Sequence, residues 1–391
     1  MGKTSPLAPP PDAALWDDPA RLPALGCTLC PDLGICGGLR VRAGVFDCRS
    51  LCACARQGKK CNGVCRRDPR LFIARVNEVG GWGLDDVPRC AALPIRSVAE
   101  YAPVIYDGTD RVSVLNGGTV ALPLLSLFSR STGTGRFETR AEMLESFRLS
   151  RDTRIILTGV AEDTAIERWW SFADRPRLIE SLHGLGIELV TAPNYSLFTD
   201  VTRYDNFHNM KRIVLAWSEF LAGGMPCALH INGRNGRDYE RWRAFVTTRE
   251  EVTSIAFEFT TGTSNHGRGQ YHCDQLLALA AAAGRPLHLV LRGGRRRYLR
   301  QLAASFASIT VVDADPYVRT KHRQRARFTM GPGGVEWHPS QTAKGEPLDE
   351  LLAHNVEIAR HSTLMHLGWL RANYGHAETG HVSPLLEPSP A

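Results

Sequence analysis

Apolar runs recur through the middle of the chain, at Thr119–Phe128, Arg154–Val160, Ile187–Thr191, Cys227–Ile231, Ser254–Phe259, Leu287–Arg292 and Ile309–Asp313. Between them the apolar positions take helical spacing, near 138–149, 163–183, 203–222, 238–248, 270–283 and 296–307. Strands that are apolar on both faces and alternate with helices read as a buried parallel sheet. The expected fold is therefore α/β, a (β/α)8 TIM-like barrel spanning 71–346. Its eighth strand would be Leu71–Val76 or the segment around Phe328–Trp337. A doubly wound open sheet is the alternative, but no Gly-x-Gly-x-x-Gly turn follows the first strand.

The pattern changes outside these limits. Residues 1–22 read as a flexible tail, 23–70 as a cysteine-rich segment, 347–375 as a C-terminal amphipathic helix and 376–391 as a Pro-rich tail. Leu71–Val112 reads as a linking layer into the barrel. The opening residues lack the order of a secretory signal, and no apolar run reaches about 18 residues free of charge. A cytoplasmic protein with no membrane partner is expected.

The chain reads as organised around the run Ile187 to Arg212, IELVTAPNYSLFTDVTRYDNFHNMKR, where Asn194, Tyr195, Ser196, Asp200, Arg203 and Asn209 follow a short strand and lead into a helix. Ordinary connections of this kind run about 2–6 residues. A longer one carrying amide, aromatic, carboxylate and guanidinium groups suits a binding loop above a rigid sheet, or a packed loop that caps the helix. In a parallel barrel the side chains at the strand C-terminal ends gather at one mouth. Those positions hold Asn194, Asp200, His230, Asn232, Glu258, Arg292 and Asp313, which makes Asp313, Asp200 and Glu258 the candidate catalytic carboxylates. Gly293-Gly294 after Arg292 would let backbone amides approach an anion. Beyond Asp313, the cationic strip containing Arg319, His322 and Arg323 would hold a polyanion.

Charge adds a hint. The net charge of +7 is modest, but only six of the 47 basic residues are Lys, leaving 41 Arg. Arg grips phosphate in bidentate fashion and stacks on bases, so a nucleic-acid partner fits; a GC-rich coding sequence would give the same bias. Eight of the eleven cysteines, Cys27, Cys30, Cys36, Cys48, Cys52, Cys54, Cys61 and Cys65, fall within one short segment. Crowded thiols in a reducing compartment ligate metal, and two tetrahedral zinc sites would use all eight; an iron–sulfur cluster is the alternative. No Gly-x-Ser-x-Gly, Walker loop or His-Glu-x-x-His occurs, so hydrolase, nucleoside-triphosphatase and zinc-protease readings have no support.

The segments VALPLLSLF, TAPNYSLFTDVTRYDNFHNMKR, AFEFTTG and HRQRAR together resemble a family of bacterial and phage TIM-barrel proteins over roughly 100–360. More loosely, the chain is similar to the tRNA/DNA-guanine transglycosylase superfamily, whose motif Asp-x-x-x-Pro-x-Arg is approached here by Asp313, Pro316 and Arg319 with different spacing. That family's zinc site follows the barrel, whereas the Cys52-x-Cys54 pair precedes it. The resemblance implies a glycosyltransferase that exchanges guanine for a 7-deazaguanine such as preQ0 in DNA, or in RNA. Asp313 would attack the sugar, Asp200 or Glu258 would handle the proton of the base, and Asn194 and Asn232 would read its edge. Tyr195, Arg203, Arg292 and the cationic strip would position the strand. The rival readings are a non-catalytic nucleic-acid-binding or defence accessory barrel and an iron–sulfur small-molecule enzyme.

Overall fold

A computed structural model describes residues 75–95, 99–107, 111–129, 132–197, 203–259, 266–293, 296–329 and 334–368. The cysteine-rich segment, Asp200 and Gly294 lie outside these residues. The chain order is β1 (Tyr101–Pro103), β2 (Thr119–Pro123), α1 (Arg140–Ser146), β3 (Arg154–Thr158), α2 (Asp163–Ser171), α3 (Arg175–Glu180) and β4 (Ile187–Thr191). It continues with α4 (Arg203–Ala222), β5 (Cys227–His230), α5 (Gly236–Thr248), β6 (Ser254–Glu258), α6 (His266–Ala283), β7 (His288–Arg292) and α7 (Leu299–Ala303). Last come β8 (Ser308–Asp313), α8 (Asp315–Lys321), β9 (Gln324–Phe328), β10 (Val335–Pro339) and α9 (Asp349–Leu367).

Eight strands form one parallel sheet in the order β1-β8-β7-β6-β5-β4-β3-β2. Its two ends meet where Val104 bridges Ala121 and Ile105 N–H donates to Ala121 O at 2.9 Å, so the sheet all but closes into a TIM-like barrel. The eighth strand is β1, which pairs with β8 from Tyr101↔Val311 to Pro103↔Asp313. Of the two segments expected to supply it, residues 71–74 of the first lie outside the described residues while 75–79 are helical, and Phe328 and Trp337 belong to the antiparallel hairpin β9–β10 outside the barrel. β1 escapes a pattern search because three residues broken by Pro103 carry too few alternations to register.

The core divides in two, as barrel geometry requires. Ala102, Val104, Ala121, Ile156, Leu189, Ala228, Ala256, Val290 and Val312 pack together inside the barrel. The opposite faces of the same strands pack against the helices in a larger cluster containing Trp169, Trp217 and Trp242. Both faces of each strand are thus buried, which is why the runs read apolar throughout.

Residues 78–88 run across α4 and α5 and are tied down by the buried cations Lys211 and Arg249 and by the half-buried Arg241. Lys211 Nζ donates to Gly83 O at 2.5 Å and to Asp86, and Arg241 donates to Trp82 O at 2.6 Å. Arg249 gathers three carbonyls of this segment with its Nη2, Val87 O at 2.7 Å, Asp85 O at 3.0 Å and Leu84 O at 3.5 Å, and its Nη1 lies 3.3 Å from Glu251 Oε1. Arg249→Met keeps the volume but strands these carbonyls and leaves the buried Glu251 with Arg89, at 3.1 Å, as its remaining cation. A loss of about 3 kcal/mol is expected, read as a lower urea midpoint at unchanged m-value. No helix among the described residues is long and apolar enough to cross a membrane.

Candidate functional site

The inward-facing residues one step above the interior cluster, two positions on from Ile156, Leu189, Ala228, Ala256 and Val290, are Thr158, Thr191, His230, Glu258 and Arg292. Of these, His230, Glu258 and Arg292 floor a cleft of about 1500 Å³ at the C-terminal face of the barrel, with Thr158 and Thr191 buried outside its lining. One side of the cleft is formed by the segments after β2 and β3, including Ser126, Arg136, Asp163 and Arg168, and the other by segments after β5 and β6, including Arg234, Phe257 and Arg268. These strands lie three places apart in the sheet order, so the cleft extends over much of the barrel mouth.

Local chemistry holds the loops that build it. A Cβ at Gly159 would collide with the carbonyl oxygens of Thr191 and Ala192, so only glycine lets the ends of β3 and β4 approach this closely. Across that contact Asn194 N–H donates to Gly159 O at 3.0 Å. On the neighbouring loop Asn235 caps α5, accepting from Asp238 N–H at 2.9 Å, while Asp238 accepts from Arg234 N–H at 2.8 Å. This reciprocal cap fixes where Arg234 enters the mouth.

A directed chain of hydrogen bonds lies on the floor. Asn232 Nδ2 donates to Asn194 Oδ1 at 3.1 Å and to Tyr195 O at 3.3 Å, and Asn194 Nδ2 donates to Glu258 Oε2 at 3.0 Å. Arg292 spans the barrel from β7 to the opposite strand β3, where its Nη1 donates to Thr158 Oγ1 at 3.0 Å and to Val160 O at 2.7 Å. Its Nε and Nη2 have no partner among the described residues and are not buried, which leaves a two-point donor edge for an anion. His230, 1% exposed, shares this floor; burial, and then the charge of Arg292, hold its imidazole down to about 3, so it is neutral. Five arginines line the cleft against four carboxylates, and one of each, Arg136 and Asp107, pair at 2.7 Å.

Asn194, Asn232, Glu258 and Arg292 therefore come together as expected from the strand-end pattern. Asp313 does not join them: Val312 points into the barrel, so Asp313 takes the other phase of β8, and its Oδ1 accepts from Asp315 N–H at 3.0 Å. Tyr195 is likewise turned away from the cleft. Its ring is buried beneath Arg212, whose guanidinium carbon lies 4.1 Å from the ring centre, and burial pushes its phenol far above the usual range. Gly293 has φ +61°, but its N–H donates to Val312 O at 3.3 Å, so that amide serves the sheet. Arg319 donates to Gln324 Oε1 at 3.0 Å and, with His322 and Arg323, lies near the hairpin, outside the cleft lining. Arg203 opens α4, and its side chain falls outside the described set. Asp200, Gly294 and the cysteines from Cys27 to Cys65 also lie outside it, and no cluster of metal-ligating side chains occurs among the described residues.

The cleft also uses residues that carried no sequence signal, notably Arg136, Arg168, Arg234, Arg268 and His272. They sit on loops or within helices, where an isolated Arg or His looks like any solvated one; Arg234, beside the Asn-x-x-Asp cap, is the one that could have been found. No protein-family model matches the chain, and no curated protein matches it.

Proposed function

We propose that the barrel mouth is the active site of a nucleic-acid base-modifying enzyme of the base-exchange type, with guanine replaced by a 7-deazaguanine as the specific reaction. The observation that carries this reading is the hydrogen-bonded chain Asn232–Asn194–Glu258 set beside the open donor edge of Arg292. Amides next to a carboxylate match the donor and acceptor edge of a base, and the guanidinium matches a phosphate or a departing anionic base. A cleft that extends over much of the mouth, with arginines on both sides, suits a length of strand better than a lone small molecule.

In this reading Glu258, not Asp313, is the nucleophile. Its carboxylate would attack the sugar C1′, breaking the bond to guanine and forming an ester-like glycosyl intermediate. The departing base, stabilised by Asn194 and Arg292, takes a proton from water. The incoming deazaguanine gives its ring N–H proton to the hydroxide so formed, and its nitrogen attacks C1′ and displaces Glu258 as the free carboxylate. A target within a duplex would have to be flipped out to reach the floor. The cysteine segment would hold zinc in a structural role, which metal analysis of purified protein would show, while a brown protein would indicate iron and sulfur instead.

The test is incubation of the full-length protein with duplex DNA, single-stranded DNA or RNA and labelled 7-deazaguanine, followed by digestion to nucleosides. Label in the nucleoside fraction is the expected result. Salt-sensitive binding of DNA with neither label incorporation nor guanine release would replace this reading with the non-catalytic one.

A further inference from the structure

Beyond the floor, Arg234, Phe257, Arg268 and His272 line one part of the cleft, its arm, beside β6 and α6. Here the alternation of β6 matters: Ala256 and Glu258 face the barrel interior, so Phe257 faces the helices and meets His272 on α6, ring centres 5.5 Å apart. His272 is 2% exposed, and its Nδ1 lies 2.6 Å from the hydroxyl of Tyr239, a fully buried α5 residue outside the cleft lining. Its Nε2, on the ring's other edge, is buried without a partner.

We infer that this arm is a binding subsite for a flat neutral heterocycle, such as a nucleobase, in which His272, held by Tyr239 as the Nε2–H tautomer, donates a hydrogen bond to a carbonyl oxygen or ring nitrogen. The inference rests on the nucleic-acid reading of the cleft and adds a second base position beside the reacting one. The tautomer follows from the pairing. Tyr239 has one hydroxyl proton and one partner, so donating to Nδ1 satisfies it, and the imidazole proton must then sit on Nε2. Burial keeps both groups un-ionised, pushing the Tyr239 phenol well up and holding His272 down to about 3. An orphaned buried N–H is costly, and a ligand acceptor would relieve it. The walls indicate what carries that acceptor. Phe257, 4% exposed, packs behind the His272 ring, and the planar guanidinium groups of Arg234 and Arg268 stack readily on bases.

The test uses the full chain carrying Glu258→Gln, so that binding in the arm is read separately from exchange. Nitrogen-15 spectra of the His272 ring should show the Nε2–H tautomer, with Tyr239→Phe giving a mixture. Guanosine should shift the Nε2 resonance, and its affinity should fall about 10-fold in His272→Phe and be partly restored in His272→Gln, which keeps an N–H donor. Thermal melts confirm folding; should His272→Phe not fold, the tautomer and the other two variants decide. An Nδ1–H tautomer, unchanged guanosine affinity in a folded His272→Phe, or an equal response to inorganic phosphate would overturn the assignment. If exchange is absent in the wild type while guanosine still binds through His272, the arm stands and the base-exchange reading fails.

Discussion

Glu258→Gln should reduce base exchange by about three orders of magnitude or more while leaving the fold and DNA affinity nearly unchanged. The substitution is close to isosteric, and a glutamine oxygen can still accept from Asn194 Nδ2, so the Asn232–Asn194 chain keeps its direction. What disappears is the nucleophilic carboxylate, and an amide cannot form the glycosyl intermediate. The paired variant is Asp313→Asn. An asparagine oxygen still accepts from Asp315 N–H, and the side chain stays outside the cleft lining, so at least half of the wild-type rate should remain. Initial rates of label incorporation, with DNA binding measured alongside, decide between the two carboxylates. Loss in Asp313→Asn with retention in Glu258→Gln would return the chemistry to β8 and exclude the assignment made here.

That contrast marks how far the sequence could be read. Strand ends were legible because apolar runs stop at polar residues, and Glu258 and Arg292 were found in that way. Which face each terminal residue occupies was not legible. In SIAFE and SITVVD both faces of the strand are buried, so neither phase is distinguished by polarity, and only the packed barrel shows that Glu258 shares a face with Ala256 while Asp313 opposes Val312. Tyr195 failed for a related reason: an aromatic in a polar loop reads as a ligand contact, yet Arg212, in the third turn of α4, draws it under the loop as a buried cation–π partner. The Arg292 span depends on Thr158, 134 residues earlier, a distance that no local pattern encodes.

Acid should unfold this protein well before its carboxylates are fully titrated, because buried histidines, His230, His272 and His288 foremost, are kept neutral and burial shifts His208 in the same direction. Burial holds His230 and His272 down to about 3 and His288 down to about 4, against an ordinary value of 6.5. The unfolded chain therefore binds protons at these positions from about pH 6.5 downward while the folded chain does not, and stability falls as pH falls through that window. Each such group contributes a slope of about 1.4 kcal/mol per pH unit, so three give roughly 4 kcal/mol per unit between about pH 6 and 4.5. A domain stable by about 5–15 kcal/mol would be near its unfolding midpoint at the lower end of that range. Glu78, lowered to about 2 chiefly by its hydrogen bond to His208, acts in the same direction, since the stability it supplies above 4.5 is lost as pH falls below that value. Urea midpoints measured from pH 7.5 to 4.5 read the slope. His288→Gln keeps a hydrogen-bonding group between Ser308 and Thr310, to which the His288 ring lies at 2.7 and 3.3 Å. Because glutamine does not titrate, the slope should fall by about one third. A flat profile between pH 6 and 4.5 would mean that these imidazoles are protonated in the native state, and the neutral His230 and His272 of the cleft would have to be given up with them.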